Sequence, residues 1–553
     1  MSTSLPPGDP SGPEYLDSGS GRPFRSPEPA RTRRARTGWI AVGGVGLLAA
    51  IGAGAWAAWS FFATGPQPAE ALPAGTIAYA SVDLDPSGGQ KIEALRTLRK
   101  FPAFKDEIGL ETDDDIRERI FEEIQGTGTC TDLDYGDDVE PWLGDRFAVA
   151  AVDAGGDTPV PVFVFQVSDE DAADEGFAKV QECSGGDGGA WSIADGWALL
   201  GETQEIVDRV TADAADAPLS EDEDFTSWTD AAGDGGIAAV YLAPEAGKVL
   251  AENLDDFTGP LGGLESGLGD STAYSSSLEC DTPCESYAAL PDELGGALED
   301  FRGMAATLRF DDGSLELEVA ADPGTSQDAL EDADRGDDVL ATLPEDTAAA
   351  IGVGFAEGWF GDLVDQFAGQ LGGMSGDELL AEMSAETGLD LPEDVETLTG
   401  ESAALAVGGD FDLETFTNSA DGSGVPLGLK VRGDADAIES VLDKLRPQMG
   451  GAEALLDSDS DGDVVVIGPD ADYRERLLDD GDLGDSEAFE NVVREADDAA
   501  AVLFVNFDVG DWLTSLAEGD PELEENLQPL QGLGLSTWLE DGASHLVLRV
   551  TTD

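Results

Sequence analysis

The apolar pattern along the chain's first half marks seven short runs that read as strands, with an alternation too weak to fix their order: IAYASVDL (77–84), RFAVAAV (146–152), PVFVFQV (161–167), WALL (197–200), IAAVYLA (237–243), AATLRF (305–310) and LELEV (315–319). Successive side chains of a strand point to opposite faces, and runs of this length and apolar content read as strands rather than helices. Between them the apolar spacing lengthens to three and four, which predicts helices over 90–100, 103–124, 169–182 and 203–213. Asp311, Asp312 and Gly313, and later Asp541 and Gly542, are hairpin turn signals. Short loops and hairpins favour a largely antiparallel sheet with helices on one face, the α+β class.

The pattern then repeats. LPAGTIAYASV (72–82) matches LPEDTAAAIGV (343–353), DDVEPWLGD (137–145) matches EDVETLTGE (393–401), and VPVFVFQV (160–167) matches VPLGLKV (425–431). LSEDEDF (219–225) matches LGDSEAF (483–489), and RGMAATLRFDDGSLELEV (302–319) matches QGLGLSTWLEDGASHLVLRV (531–550). Five matches in one order indicate an internal duplication. The first copy carries an insertion near 245–300, in a Gly- and Ser-rich stretch. The expected organisation is a disordered tail (1–37), an apolar span (38–63), a short linker (64–71), a first repeat (72–322), a second linker (323–342) and a second repeat (343–553). Two tandem α+β domains follow from this.

One stretch shows no alternation at all. Gly38 to Ala63 carries no ionisable residue and follows Arg31, Arg33, Arg34 and Arg36. A helix of that length exceeds the roughly 30 Å hydrocarbon core, so it is expected to cross a membrane once. Arginines resist translocation, which sets the tail in the cytoplasm and the rest outside, as a single-pass cell-membrane protein. Gly46, Ala50, Gly54 and Ala58 recur every four residues, a small-residue spacing that would allow weak dimerisation through the span.

Charge sharpens the contrast between the two sides. The tail's six arginines and four acids give +2, leaving −91 of the chain's −89 for the remainder. Such an acidic surface repels nucleic acid and anionic lipid headgroups, and cations or basic proteins suit it better. One patch runs against this sign: Lys91, Arg96, Arg99, Lys100 and Lys105, which could meet an anionic wall polymer or lipid close to the membrane, or the protein's own acids. Four cysteines, Cys130, Cys183, Cys280 and Cys284, all fall on the expected outer side, where thiols oxidise. Of three pairings, Cys130 with Cys183 and Cys280 with Cys284 is favoured, because only Asp281, Thr282 and Pro283 separate the second pair.

LPAGTIAYASVDLDPSGGQ (72–90), RTLRKFPAF (96–104), PWLGDRFAVA (141–150) and the acids before Phe225 together resemble a bacterial membrane-anchored family, domain of unknown function 3352. The resemblance covers about residues 72–553. It implies a short cytoplasmic tail, one span and a duplicated extracytoplasmic domain with no established activity. No catalytic residue carries over from it.

Motifs for chemistry fail one by one. DSDSDGDVVVIG (457–468) imitates a calcium loop, but Gly468 stands where a bidentate Glu is required, and a hairpin at Asp461 and Gly462 fits better. The lone histidine, His545, alternates with Leu546, Leu548 and Val550 and is expected to face away from the core. No GxSxG, phosphate loop or HExxH occurs. The sequence thus implies no cofactor, no metal and no enzyme, but a binding or scaffolding protein of the cell envelope. An envelope hydrolase and a cation-binding, salt-adapted surface protein are the alternatives.

Overall fold

This computed structural model describes residues 67–553 apart from 84–93, most of 95–132, 184–188, 252–297, 325–335, 369–374, most of 413–421, 514–520 and isolated positions. The first half supplies β1 (Thr76–Asp83), β2 (Leu143–Val152), β3 (Val160–Val167), β4 (Ala190–Ala194), β5 (Trp197–Gly201), β6 (Ala238–Leu242), β7 (Met304–Asp311) and β8 (Ser314–Ala321). The second supplies β9 (Thr347–Gly354), β10 (Ser402–Gly408), β11 (Leu427–Arg432), β12 (Ser458–Asp461), β13 (Val464–Ile467), β14 (Ala501–Asn506), β15 (Leu530–Glu540) and β16 (Ala543–Thr552). They form one 16-stranded sheet in the order β12, β13, β11, β10, β9, β14, β15, β16, β8, β7, β6, β1, β2, β3, β5, β4.

Read inward from its own edge, each half has the same order, β4, β5, β3, β2, β1, β6, β7, β8 matching β12, β13, β11, β10, β9, β14, β15, β16. Local chemistry repeats with it. Thr76 and Thr347, which open β1 and β9, each donate their hydroxyl to the carbonyl of Pro73 or Pro344 at 2.7 Å. Asp222 and Ser486 each accept from the amide three residues on, Phe225 or Phe489, and so cap the next helix. Leu72 and Leu343, ahead of those strands, are both fully buried. In the stretches assigned above to linkers, Ala69 and Ala71 pack into the first core and Val339 and Leu340 into the second.

The expectation of a span followed by two separate domains is corrected in two respects. Among the described residues no helix is long and apolar enough to cross a membrane. The segment 38–63 and the four arginines before it lie outside the described residues. The two repeats, moreover, do not own separate sheets. β8 and β16 pair antiparallel over eight positions, from Ser544 opposite Ala321 to Thr551 opposite Ser314. Each of these strands would otherwise be an edge with a row of unpaired backbone groups, and mutual pairing removes both edges.

Helices also lie on both faces, not one. Ala198 of β5 packs in the core under helix Glu170–Cys183, whereas its neighbour Leu199 packs in the core under helix Gln204–Asp216. The second half behaves alike: Val465 joins the core of helix Ala435–Leu445, and Val466 that of helix Ala471–Leu478. Toward the middle, one sheet face carries Leu405, Ile351, Leu503, Leu535, Leu548, Leu317 and Leu308 in register across seven strands. Ile351 and Leu405 there remain 45% and 44% exposed.

Candidate functional site

The seam between the halves inverts the usual burial rule. In β8, Ser314, Glu316, Glu318 and Ala320 are buried while Leu315, Leu317 and Val319 are half-buried. In β16, Ala543, His545, Val547 and Arg549 are buried while Leu546, Leu548 and Val550 are half-buried. The charged side of both strands therefore faces inward, and charges so placed need partners.

They find them across the seam. Glu316 accepts from Arg309 at 2.6 Å, from Arg494 Nε at 3.1 Å and from Arg549 Nη1 at 3.1 Å. Arg309 also pairs with Glu318, and Arg494 with Asp311. Arg549 Nη2 donates to the Asp311 carbonyl at 3.0 Å and lies 3.3 Å from its carboxylate. Three arginines thus meet three acids. Asp311, Glu316, Glu318 and Arg309 come from the first repeat; Arg494 and Arg549 come from the second.

His545 extends this network, and its expected outward orientation is corrected. It is 6% exposed, its ring stacks on Trp538 at 5.1 Å and 11°, and its Nδ1 sits 4.0 Å from Glu318 Oε1. The physical reason is the inversion: Leu546, Leu548 and Val550 occupy the other face, so the polar residues turn inward.

A cleft of about 440 Å³ opens at one end of the seam, against this network. Arg96, Thr97 and Lys100 form one wall, Glu490, Asn491 and Arg494 another, and the end of β16, with Arg549 and Asp553, closes it. Lys100 Nζ donates to the carbonyl and hydroxyl oxygens of Thr552 at 3.1 and 2.9 Å. Burial holds its pKa below the ordinary lysine value, with neighbouring Arg96 acting in the same direction and Asp553 opposing. Arg96 itself is exposed at the cleft.

Of the basic patch read from the sequence, Arg96 and Lys100 line the cleft. Arg99 is exposed and does not, and Lys91 and Lys105 lie outside the described residues. Cys130 and Cys183 are joined by a disulfide with Cα atoms 5.3 Å apart, and Cys280 and Cys284 lie outside the described residues. The calcium-like run forms the β12–β13 hairpin, with Gly462 at φ 64° in its turn and Asp459 paired to Arg474 at 2.8 Å. Among the described residues no group of three or more His, Cys, Asp or Glu could hold a metal ion. Sequence reading missed Arg494, Arg549, Arg309 and the three acids. The available signal was Glu316 and Glu318 alternating in a strand whose counterpart carries Arg549.

Fold and site together define a duplicated, antiparallel α+β protein with a charged seam. A family model described as protein of unknown function (DUF3352) matches residues 41–191. The match takes in β1 to β3 and the Arg96 and Lys100 wall, and stops short of the seam strands. No curated protein and no solved structure matches the chain.

Proposed function

We propose that this is a binding protein of the cell envelope, folded on the extracytoplasmic side, with the seam cleft as its binding site. The observation that carries the reading is the meeting of Arg96 and Lys100, from the first repeat, with Arg494 and Arg549, from the second, around one cleft. In a chain of net charge −89, four cations around one concave site mark it off from the rest of the surface. The Cys130–Cys183 bond supports the compartment, because paired thiols persist where the surroundings are oxidising. A photo-crosslinking residue at Asn491, exposed on the cleft wall, tests the reading in intact cells. An adduct that disappears on Arg96→Glu is expected. No adduct, or one indifferent to that change, rejects a binding role for the cleft.

A further inference from the structure

Resting on that reading, we propose that the cleft takes a single phosphate group carried by an otherwise uncharged, hydroxyl-bearing molecule: a phosphorylated polyol or sugar. Three observations place cationic groups there, two of them with uncommitted donors. Arg96 is exposed and has no acid partner among the described residues. Lys100 Nζ spends two of its three N–H donors on Thr552, leaving one. Arg549, held by Glu316 and Asp311 at the cleft's closed end, adds a fixed positive charge behind them, its buried Nε without a hydrogen-bond partner. A tetrahedral phosphate presents several terminal oxygens in different directions and can accept from separate walls, whereas a planar carboxylate has two.

The surroundings set the rest of the ligand. Glu490 and Asp553 also line the cleft, and beyond it the chain's charge is −89, so further anionic groups on the same ligand would be repelled. Those two carboxylates accept hydrogen bonds and suit hydroxyl donors on the carrier. Asn491, Gln531 and Thr551 add neutral donors and acceptors nearby. A volume of about 440 Å³ falls within the range of small-molecule sites.

Calorimetric titration of the full chain with glycerol 1-phosphate, succinate, glycerol and a long-chain polyphosphate tests this. Glycerol 1-phosphate is expected to bind at least tenfold more tightly than the other three, and Arg96→Ala, an exposed change that spares the core, to weaken it at least tenfold. Equal binding of succinate or polyphosphate overturns the phosphate assignment, as does an Arg96→Ala chain within twofold of the parent. Dihexanoyl phosphatidylglycerol, added below its micellar concentration, separates the sources. Tighter binding than glycerol 1-phosphate assigns a lipid headgroup, and equal or weaker binding a soluble ligand. If every phosphate fails while the Asn491 crosslink still forms and still depends on Arg96, the phosphate class falls and the binding role stands. If the crosslink also fails, both fall.

Discussion

Arg549 on β16 and Glu316 on β8 stand opposite each other in register across the seam, Nη1 3.1 Å from Oε2, with side chains only 5% and 3% exposed. Removing one member of a buried pair leaves the other charge stranded, which costs more than the pair itself contributes. Glu316→Leu takes one buried acid from three arginines at once, leaving Arg309 to Glu318 and Arg494 and Arg549 to share Asp311, and is expected to lower stability by about 3 to 5 kcal/mol in urea unfolding. The same substitution in an Arg549→Leu background should cost measurably less, because the two residues share one interaction. Strict additivity of the two changes would show that the contact carries no coupling.

Gly303 precedes β7 at φ 121°, and a Cβ there would lie 2.2 Å from Trp228 Nε1. The Trp228 Nε1 donates to the neighbouring Arg302 carbonyl at 3.1 Å, so the indole cannot retreat without losing that bond. Backbone strain and overpacking together put the expected loss for Gly303→Ala at about 2 to 4 kcal/mol. A melting temperature unchanged by the substitution would contradict this geometry.

Lys430 on β11 is 1% exposed and donates to the Thr342 carbonyl at 3.1 Å. Burial holds its pKa below the ordinary lysine value, against the weaker pull of Asp480 and Asp479. Between that lowered pKa and about 10.4 the unfolded chain binds more protons than the folded one, so this residue makes stability rise with pH in that window. Lys430→Met is expected to stabilise the protein by about 1 to 3 kcal/mol at neutral pH. That advantage should shrink as pH climbs toward 10, and unfolding midpoints of both proteins against pH would reveal a constant gap if the account were wrong.

The Cys130–Cys183 bond closes a sequence separation of 53. Chain entropy assigns a loop of that length about 4 kcal/mol, and measured losses for native bridges run at roughly 2 to 5 kcal/mol. Cys130→Ser together with Cys183→Ser is expected to lower stability within that span. The denaturation midpoint of the double variant, compared with the parent under oxidising conditions, checks it.

Much of the fold was readable because most strands are short apolar runs set off by turn residues and acidic helices. The run PVFVFQV appears as β3 at Val160–Val167, and the helix expected at 203–213 spans Gln204–Asp216, with Val207 and Val210 buried. The helix Glu223–Ala231 was missed: at nine residues it offers only Phe225, Trp228 and Ala231 as an apolar stripe, all of them only partly buried. The site was legible only at Arg96 and Lys100, whose sign differs from their surroundings. His545 was misread, and Glu316 missed, because a strand pattern fixes which residues share a face but not which face is covered. At this joint part of the covering layer, Arg494 and Arg549 over Glu316, belongs to the partner repeat, and no local window of sequence contains it.

The eight-position pairing of β8 with β16 has a mechanical consequence. Two lobes on a tether can swing and clasp a guest by closing around it, but these are stitched strand to strand into one continuous sheet. Whatever occupies the notch at its middle must therefore be met by side chains already in position. A tug at either outer rim would travel to that notch through the backbone ladder.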